Sequence, residues 1–263
     1  PTPLAPEKFR DPHRTLDNSP RAKVRLTRLE TLWINTGTLC NLACTHCYIE
    51  SSPTNDRLVY ITAAEVAGYL DEIGTRGLPT RTIAFTGGEP FMNPDFPAML
   101  EDVLVRGFEA LVLTNAMRPM MRAKDRLRDL QARFGERLSL RVSLDHYAEA
   151  LHQLERGPRA WAPAIEGLVW LSEQGFNLSV AGRTLWQEGE AQRAGFGRLF
   201  ARLGIAVDAE DPARLLLFPE MDESLDVPEI TEACWDILGV NPDAMMCATS
   251  RMVVKRKGAD RPV

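Results

Sequence analysis

Six short apolar runs recur along the chain, each followed by a longer segment with helical spacing, and this alternation restricts the fold more than any other feature. The runs are TLWINT (31–36), RTIAFT (81–86), EALVLT (109–114), LSLRVSL (138–144), FNLSVAG (176–182) and ARLLLF (213–218). Short, aliphatic and bounded by turn residues, they read as buried strands. Helical spacing runs from Thr62 to Arg76, with Thr62 as N-cap and Glu65 three residues on, and from Asn93 to Arg106, with Pro94 early. It continues from Met120 to Phe134, from Tyr147 to about Gln174 with a break at Gly157-Pro158, and from Glu188 to Leu203. A repeated βα unit demands a parallel sheet, because parallel neighbours are joined by crossovers and those are right-handed. The expected fold is therefore α/β: a partial (β/α)6 TIM-like barrel with its helices outside. A chain of 263 residues is long enough for one such domain.

Flanking segments break the pattern. Residues 1–28, with several prolines and the basic residues Arg21, Lys23, Arg25 and Arg28, read as an extended N-terminal arm, and 29–218 as the barrel domain. Residues 219–263 read as a C-terminal extension: a polar linker (PEMDESLDVPEI), a short helix (TEACWDILG) and a β-hairpin turning near Lys257-Gly258. The chain stops just after that hairpin without a closing element, so a longer natural protein is expected. No apolar run approaches the ~18 residues of a membrane span, and the N-terminus has no signal-peptide core, so the default setting is cytoplasmic. A net charge of −5 argues against a nucleic-acid partner.

Three of the five cysteines fall within CNLACTHCY, Cys40 to Tyr48, while Cys234 and Cys247 lie far downstream. This is not a secreted disulfide framework, so reduced or metal-bound thiols are the reading. The loop follows the first strand, at the end of a parallel barrel where active sites form. A structural zinc site needs four ligands and usually two separated pairs. His46 would complete Cys40, Cys44 and Cys47, but it is adjacent to Cys47, and neighbouring side chains rarely reach one ion without strain. Three thiolates on an iron–sulfur cluster leave one iron open to another ligand.

With this C-x3-C-x2-C spacing, His46 before the third cysteine and Tyr48 after it, the loop resembles that of the radical S-adenosylmethionine (radical SAM) superfamily. The resemblance implies that Cys40, Cys44 and Cys47 hold a [4Fe-4S] cluster whose free iron chelates S-adenosylmethionine, with His46 against the adenine and Tyr48 in the same cofactor pocket. TGGEP after the second strand resembles the family's GGEP motif, which implies that Gly87, Gly88, Glu89 and Pro90 bind the methionyl amino group. From the residues alone, glycines there permit close backbone approach and Glu89 supplies an acceptor for an ammonium, or the segment is a plain βα turn. Asn115 after the third strand, and Ser143 and Asp145 at the end of the fourth, occupy places that family members use for the ribose and sulfonium region; taken singly they are ordinary strand-end caps. Arg183 after the fifth strand either pairs with the cofactor's carboxylate or forms a surface salt bridge. Leu216 and Phe218 either wall the adenine or are core.

The family's chemistry implies reductive cleavage of S-adenosylmethionine to methionine and a 5′-deoxyadenosyl radical, which takes hydrogen from an organic substrate, and hence a low-potential electron donor such as a flavodoxin or ferredoxin. The arm (Arg21 to Arg28) or the hairpin (Arg251, Lys255, Arg256, Lys257) would dock an acidic donor, or else is solvated surface. Cys247 before a hairpin resembles the start of the SPASM and twitch auxiliary-cluster domains of peptide- and protein-modifying members. That implies an auxiliary iron–sulfur cluster and a peptide or protein side chain as substrate, although the next cysteine of that pattern is missing and Cys247 is otherwise an ordinary thiol. Cys234 reads as a core residue. The rival readings are a radical SAM oxidoreductase or synthase acting on a small metabolite, and a zinc-bearing binding module. His146, Tyr147, Trp186 and Glu190 lie near strand ends without a signal that makes any of them an acid or base.

Overall fold

The computed structural model describes residues 3–186, 188–219 and 224–263. Its centre is a parallel sheet: β1 (Thr31–Asn35), β2 (Thr82–Thr86), β3 (Glu109–Thr114), β4 (Leu138–Ser143), β5 (Asn177–Arg183), β6 (Leu215–Phe218) and β7 (Ser250–Val253). The strand order is β6-β5-β4-β3-β2-β1-β7, so the sheet is open, with β6 and β7 as its edges. The six expected strands all form, within about two residues of their sequence bounds.

Helices α1 (Ala63–Arg76), α2 (Phe96–Val105), α3 (Arg118–Arg122), α4 (Lys124–Phe134), α5 (Glu149–Arg156), α6 (Trp161–Glu173) and α7 (Glu190–Leu203) join the strands. In α1 the Thr62 hydroxyl accepts from the Glu65 amide while Glu65 reaches back to the Thr62 amide, the reciprocal cap that the sequence signals. Such a cap contributes about 1 kcal/mol. The expected 93–106 helix begins later, after a 3-10 turn at Pro90–Met92. The expected 120–134 helix is two, meeting at Ala123.

One face of the sheet is sealed by these helices. Ile34, Ile83, Phe85, Val112, Leu140, Val142 and Val180 have no exposed surface. They pack with Leu70, Leu100, Leu130, Leu171 and Phe200 from the helices, and Phe85 meets Phe96 edge-on at 5.2 Å. Because side chains alternate along a strand, the opposite, concave face carries Trp33, Leu111, Leu113, Arg141, Ser143 and Leu216, all half-buried.

The C-terminal extension departs from expectation. Ser250–Val253 does not pair within a hairpin; it lies parallel to β1, with Trp33 opposite Met252. The turn does fall at Gly258, whose φ is 79°, and the chain returns so that Val254 and Val263 exchange two backbone hydrogen bonds. A parallel place was open because β1 otherwise had a bare edge, and pairing covers its unbonded amides and carbonyls. The helix expected in TEACWDILG forms as α8 (Ala233–Leu238), and Cys247 lies on the short α9 (Met246–Thr249). Residues 220–223 of the expected linker lie outside the described residues. The N-terminal arm is bound to this extension: Leu4 donates to Ser224, Ala22 to Ile230 and Thr27 to Ala248 through their amides, and Arg21 pairs with Glu229.

Candidate active site

The cysteine loop leaves β1 at its carboxyl end and is held from three sides. From below, the TGGEP loop presses against it. A Cβ on Gly88 would stand 2.2 Å from the Leu39 carbonyl oxygen, and one on Gly87, at φ 140°, would stand 2.6 Å from that of Gly37. The Gly88 amide donates a hydrogen bond to the Gly37 carbonyl and the Glu89 amide to the Leu39 carbonyl. What approaches these glycines most closely is thus the cysteine loop's own backbone, a requirement beyond the ligand approach read from sequence.

Glu89 turns inward and is 1% exposed. It accepts from the Asn115 amide at 2.8 Å, the Thr114 hydroxyl at 2.8 Å and the Phe91 amide at 3.3 Å. Burial pushes its pKa up to about 7, against those hydrogen bonds, which favour the charged form. Pro90 is buried at the start of the 3-10 turn. Asn115 donates to Asn41 Oδ1 at 2.9 Å and accepts from the Met117 amide, which ties the end of β3 to the cysteine loop.

The third side is α5, which sequence reasoning treated only as helix. It presents His152, Glu155 and Arg156 toward the loop. His46 Nδ1 donates to Glu155 Oε2 at 2.6 Å, and the Thr45 amide donates to the Glu155 carbonyl at 2.8 Å. Arg156 grips Asp145 through Nε (2.6 Å) and Nη2 (3.0 Å), and Arg183 approaches the same carboxylate at 3.4 Å. Burial works against both charges of the Asp145–Arg156 pair, but their attraction outweighs it: Asp145 is held below the usual carboxylate range and Arg156 above its ordinary value. Arg183 Nη2 also donates to the His46 carbonyl at 2.6 Å. His152 has no exposed surface, accepts from the Asp145 amide at 3.3 Å and is pushed down to about 4 by burial. The signal for these residues was their spacing: positions 152, 155 and 156 stand three and four apart, on one helical face, just after the fourth strand.

Among the expected site residues, Cys40 is buried and Cys44 and Cys47 are half-buried. The Leu42 amide donates to Cys40 Sγ at 3.4 Å and the Ser51 amide to Cys47 Sγ at 3.2 Å. Burial pushes the Cys40 thiol up to about 12 and raises that of Cys44, and Arg156 lies near enough to Cys44 to oppose that rise. The Ser51 hydroxyl is buried without a partner. Three soft donors with amide N–H groups directed at two sulfurs and a buried guanidinium behind them suit thiolates on a cationic centre, because each contact stabilises negative sulfur. Among the described residues, no three His, Cys, Asp or Glu converge tightly enough for a single ion. His46 is turned to Glu155, so the four donors of the zinc reading do not meet.

Tyr48 is 69% exposed, with its hydroxyl 2.9 Å from that of Thr86. Ser143 lies half-buried on the concave face, whereas both oxygens of Asp145 are engaged by arginine. His146 is buried among Tyr147, Trp186 and Phe196, with Nε2 3.3 Å from Glu188; it forms a packed cluster with them beside the site.

A parallel half-barrel whose first loop gathers three thiols at the carboxyl end of the sheet is the scaffold of a cofactor-dependent enzyme. The sequence pattern of the Radical SAM superfamily matches residues 34–190, more than half of the chain, and the chain belongs to that family. It is 32% identical over 143 residues to the antilisterial bacteriocin subtilosin biosynthesis protein AlbA of Bacillus subtilis, covering 54% of this chain and 30% of that protein. It is 31% identical over 151 residues to GTP 3′,8-cyclase of Tolumonas auensis, covering 57% of this chain and 43% of the cyclase. The chain thus spans less than half the length of these relatives. In fold it resembles Streptococcus suis SuiB bound to S-adenosylmethionine, with a TM-score of 0.57 at 16% identity over 87% of this chain and 51% of that one. The SuiB structure with precursor peptide SuiA gives a TM-score of 0.55 at 18% identity over 69% of this chain and 38% of that one. No helix among the described residues is long and apolar enough to cross a membrane.

Proposed function

We propose that this chain is the catalytic half-barrel of a radical SAM enzyme that takes hydrogen from a peptide or protein side chain. The observation that carries the reading is the open sheet: β6 and β7 do not meet, and the concave face between them is left half-exposed from Trp33 to Phe218. A slot open along one side has room for an extended segment. The likeness to AlbA, a bacteriocin biosynthesis protein, and to SuiB, seen bound to its precursor peptide SuiA, supports a peptide substrate.

Cys40, Cys44 and Cys47 would hold the [4Fe-4S] cluster. Together the cluster and S-adenosylmethionine supply a radical able to take hydrogen from unactivated carbon. Glu89, fixed by three donors, would accept from the methionyl ammonium, with Gly87, Gly88 and Pro90 setting the loop's course. Asn115 and Ser143 would serve the ribose, and His46 and Tyr48 the adenine. Asp145 acts one step back, holding Arg156 and Arg183 under the loop. Arg183 keeps its hydrogen bond to the His46 carbonyl and fixes the loop's far end. A flavodoxin or ferredoxin in a reducing cytoplasm serves as donor. Much of the expected docking charge is engaged, Arg21 with Glu229, Arg28 with Glu30, Lys255 with Glu65 and Lys257 with Asp56, which leaves Lys23, Arg25, Arg251 and Arg256 as the contact points. Cys247 is exposed, and an auxiliary cluster there would draw its other thiols from outside these 263 residues.

The test is anaerobic. Protein reconstituted with iron and sulfide receives dithionite and S-adenosylmethionine, and 5′-deoxyadenosine is sought by mass spectrometry. Wild type should form it and Cys44→Ala should not; equal yields from the two would remove the ligand assignment. A rise in yield with peptide but not with GTP favours the peptide reading, and the reverse favours a small metabolite.

A further inference from the structure

Among the described residues, Arg141 is a cation without a counterion. It sits on β4 with its neighbours Leu140 and Val142 fully buried in the core, so its own side chain projects from the concave face. There it enters a cleft of about 440 Å³ lined also by Leu111, Ser139, Ser179, Glu109 and Asp211. Its Nε donates to the Ser179 hydroxyl at 3.3 Å. Among the described residues no carboxylate stands within ion-pair distance of it, and no other hydrogen bond engages the guanidinium; burial alone lowers its pKa.

The cleft's other charges are already directed elsewhere. Glu109 accepts from the Thr82 hydroxyl at 3.0 Å, Asp211 from the Ala213 amide at 2.8 Å, and Arg214 binds Asn177 and the Leu178 carbonyl. Desolvating a guanidinium without a partner is unfavourable, and an anion from outside the chain would reverse that. With Nε on Ser179, the two terminal nitrogens remain as a planar fork that matches a carboxylate. Two arginines against two carboxylates leave the cleft with no net charge, which suits a single negative charge and disfavours a triphosphate.

Arg141 stands two residues before Ser143 on the same face, about 6.6 Å deeper along the strand. The cleft lies among the residues that open β2 to β6, so a group clamped there sits below the expected cofactor site, and a peptide running the length of the concave face would be anchored there by one side chain while another reaches the cofactor. We propose that Arg141 determines substrate specificity by binding a substrate carboxylate, which in a peptide is an Asp or Glu side chain. The inference rests on the reading of the concave face as the substrate slot.

The experiment uses the reconstituted full chain and two matched pools of N-acetylated, C-amidated hexapeptides, one with a central Asp or Glu and the other with Asn or Gln, read by affinity selection and mass spectrometry. Wild type should enrich the acidic pool by on the order of tenfold to a hundredfold, the range of a charge-assisted hydrogen bond. Arg141→Met should erase the preference and Arg141→Lys should keep part of it, with iron content and melting temperature confirming that both variants fold. Equal retention of the two pools, or a preference that survives Arg141→Met, overturns the inference while leaving the peptide reading intact. Calorimetry with glutarate and with GTP separates the rest. Arg141-dependent glutarate binding without peptide retention upholds the carboxylate site and removes the peptide. Arg141-dependent GTP binding in preference to glutarate, or no Arg141-dependent binding at all, overturns it.

Discussion

Glu155 on α5 holds the His46 ring of the cysteine loop at 2.6 Å, and the backbone of the same residue accepts the Thr45 amide. A loop that carries three thiols is therefore fixed by a helix more than a hundred residues downstream. Glu155→Ala removes the side-chain half of this contact and leaves His46 unpaired. The expected result is faster loss of iron from reconstituted protein under a chelator challenge, by several-fold, with little change in helix content by circular dichroism. Unchanged iron release would mean that the backbone bond alone holds the loop.

Asp145 and Arg156 should behave as a unit. Both side chains are largely buried, and removing one partner of a buried pair typically costs about 3–5 kcal/mol because the other charge is stranded. Asp145→Asn and Arg156→Met should each lower the urea midpoint markedly, and the double variant by less than their sum. Simple additivity would show that the pair is not coupled in solution.

Two glycine-to-alanine changes should go in opposite directions. Gly88→Ala puts a methyl group into the Leu39 carbonyl, so the cysteine loop must move, and both melting temperature and iron content should fall. Gly197 lies within α7 and meets only an ordinary contact, 3.6 Å to Ala209 Cβ. Gly197→Ala should raise stability by about 0.5–1 kcal/mol through helix propensity. Differential scanning calorimetry on the two variants reads both signs.

Glu89 gives the apoprotein a pH signature. Its folded pKa, about 7, lies above the ordinary 4.5, so the folded state binds more protons than the unfolded state between those values. Its contribution to stability is present below pH 4.5 and is lost as pH rises through 7. Glu89→Gln should remove that component, so the variant gains stability relative to wild type as pH goes from 4.5 to 8. His152, with a folded pKa pushed down to about 4 from 6.5, acts in the opposite sense, losing stability as pH falls from 6.5 through 4. Urea midpoints across pH 4–8 for Glu89→Gln and His152→Gln separate the two slopes; parallel curves for wild type and Glu89→Gln would exclude a raised Glu89.

The sequence by itself determined the alternation of strand and helix, because a buried parallel strand must be continuously apolar and an external helix must be apolar on one face; both signals are local. It also marked the thiols of Cys40, Cys44 and Cys47 and the carboxylate of Glu89, whose motifs are short and contiguous. Tertiary structure decided what surrounds them. His152, Glu155 and Arg156 look like ordinary helix residues until α5 packs beside the loop, and Gly87 and Gly88 look like a turn until the Gly37 and Leu39 carbonyls lie against them. Ser250–Val253 looked like half of a hairpin because its partner, β1, lies more than two hundred residues away, and pairing at that separation leaves no local trace. Arg141 was one charge in an apolar run. Only the sheet shows that its neighbours face the core, its side chain faces the open slot, and no carboxylate among the described residues comes close enough to neutralise it.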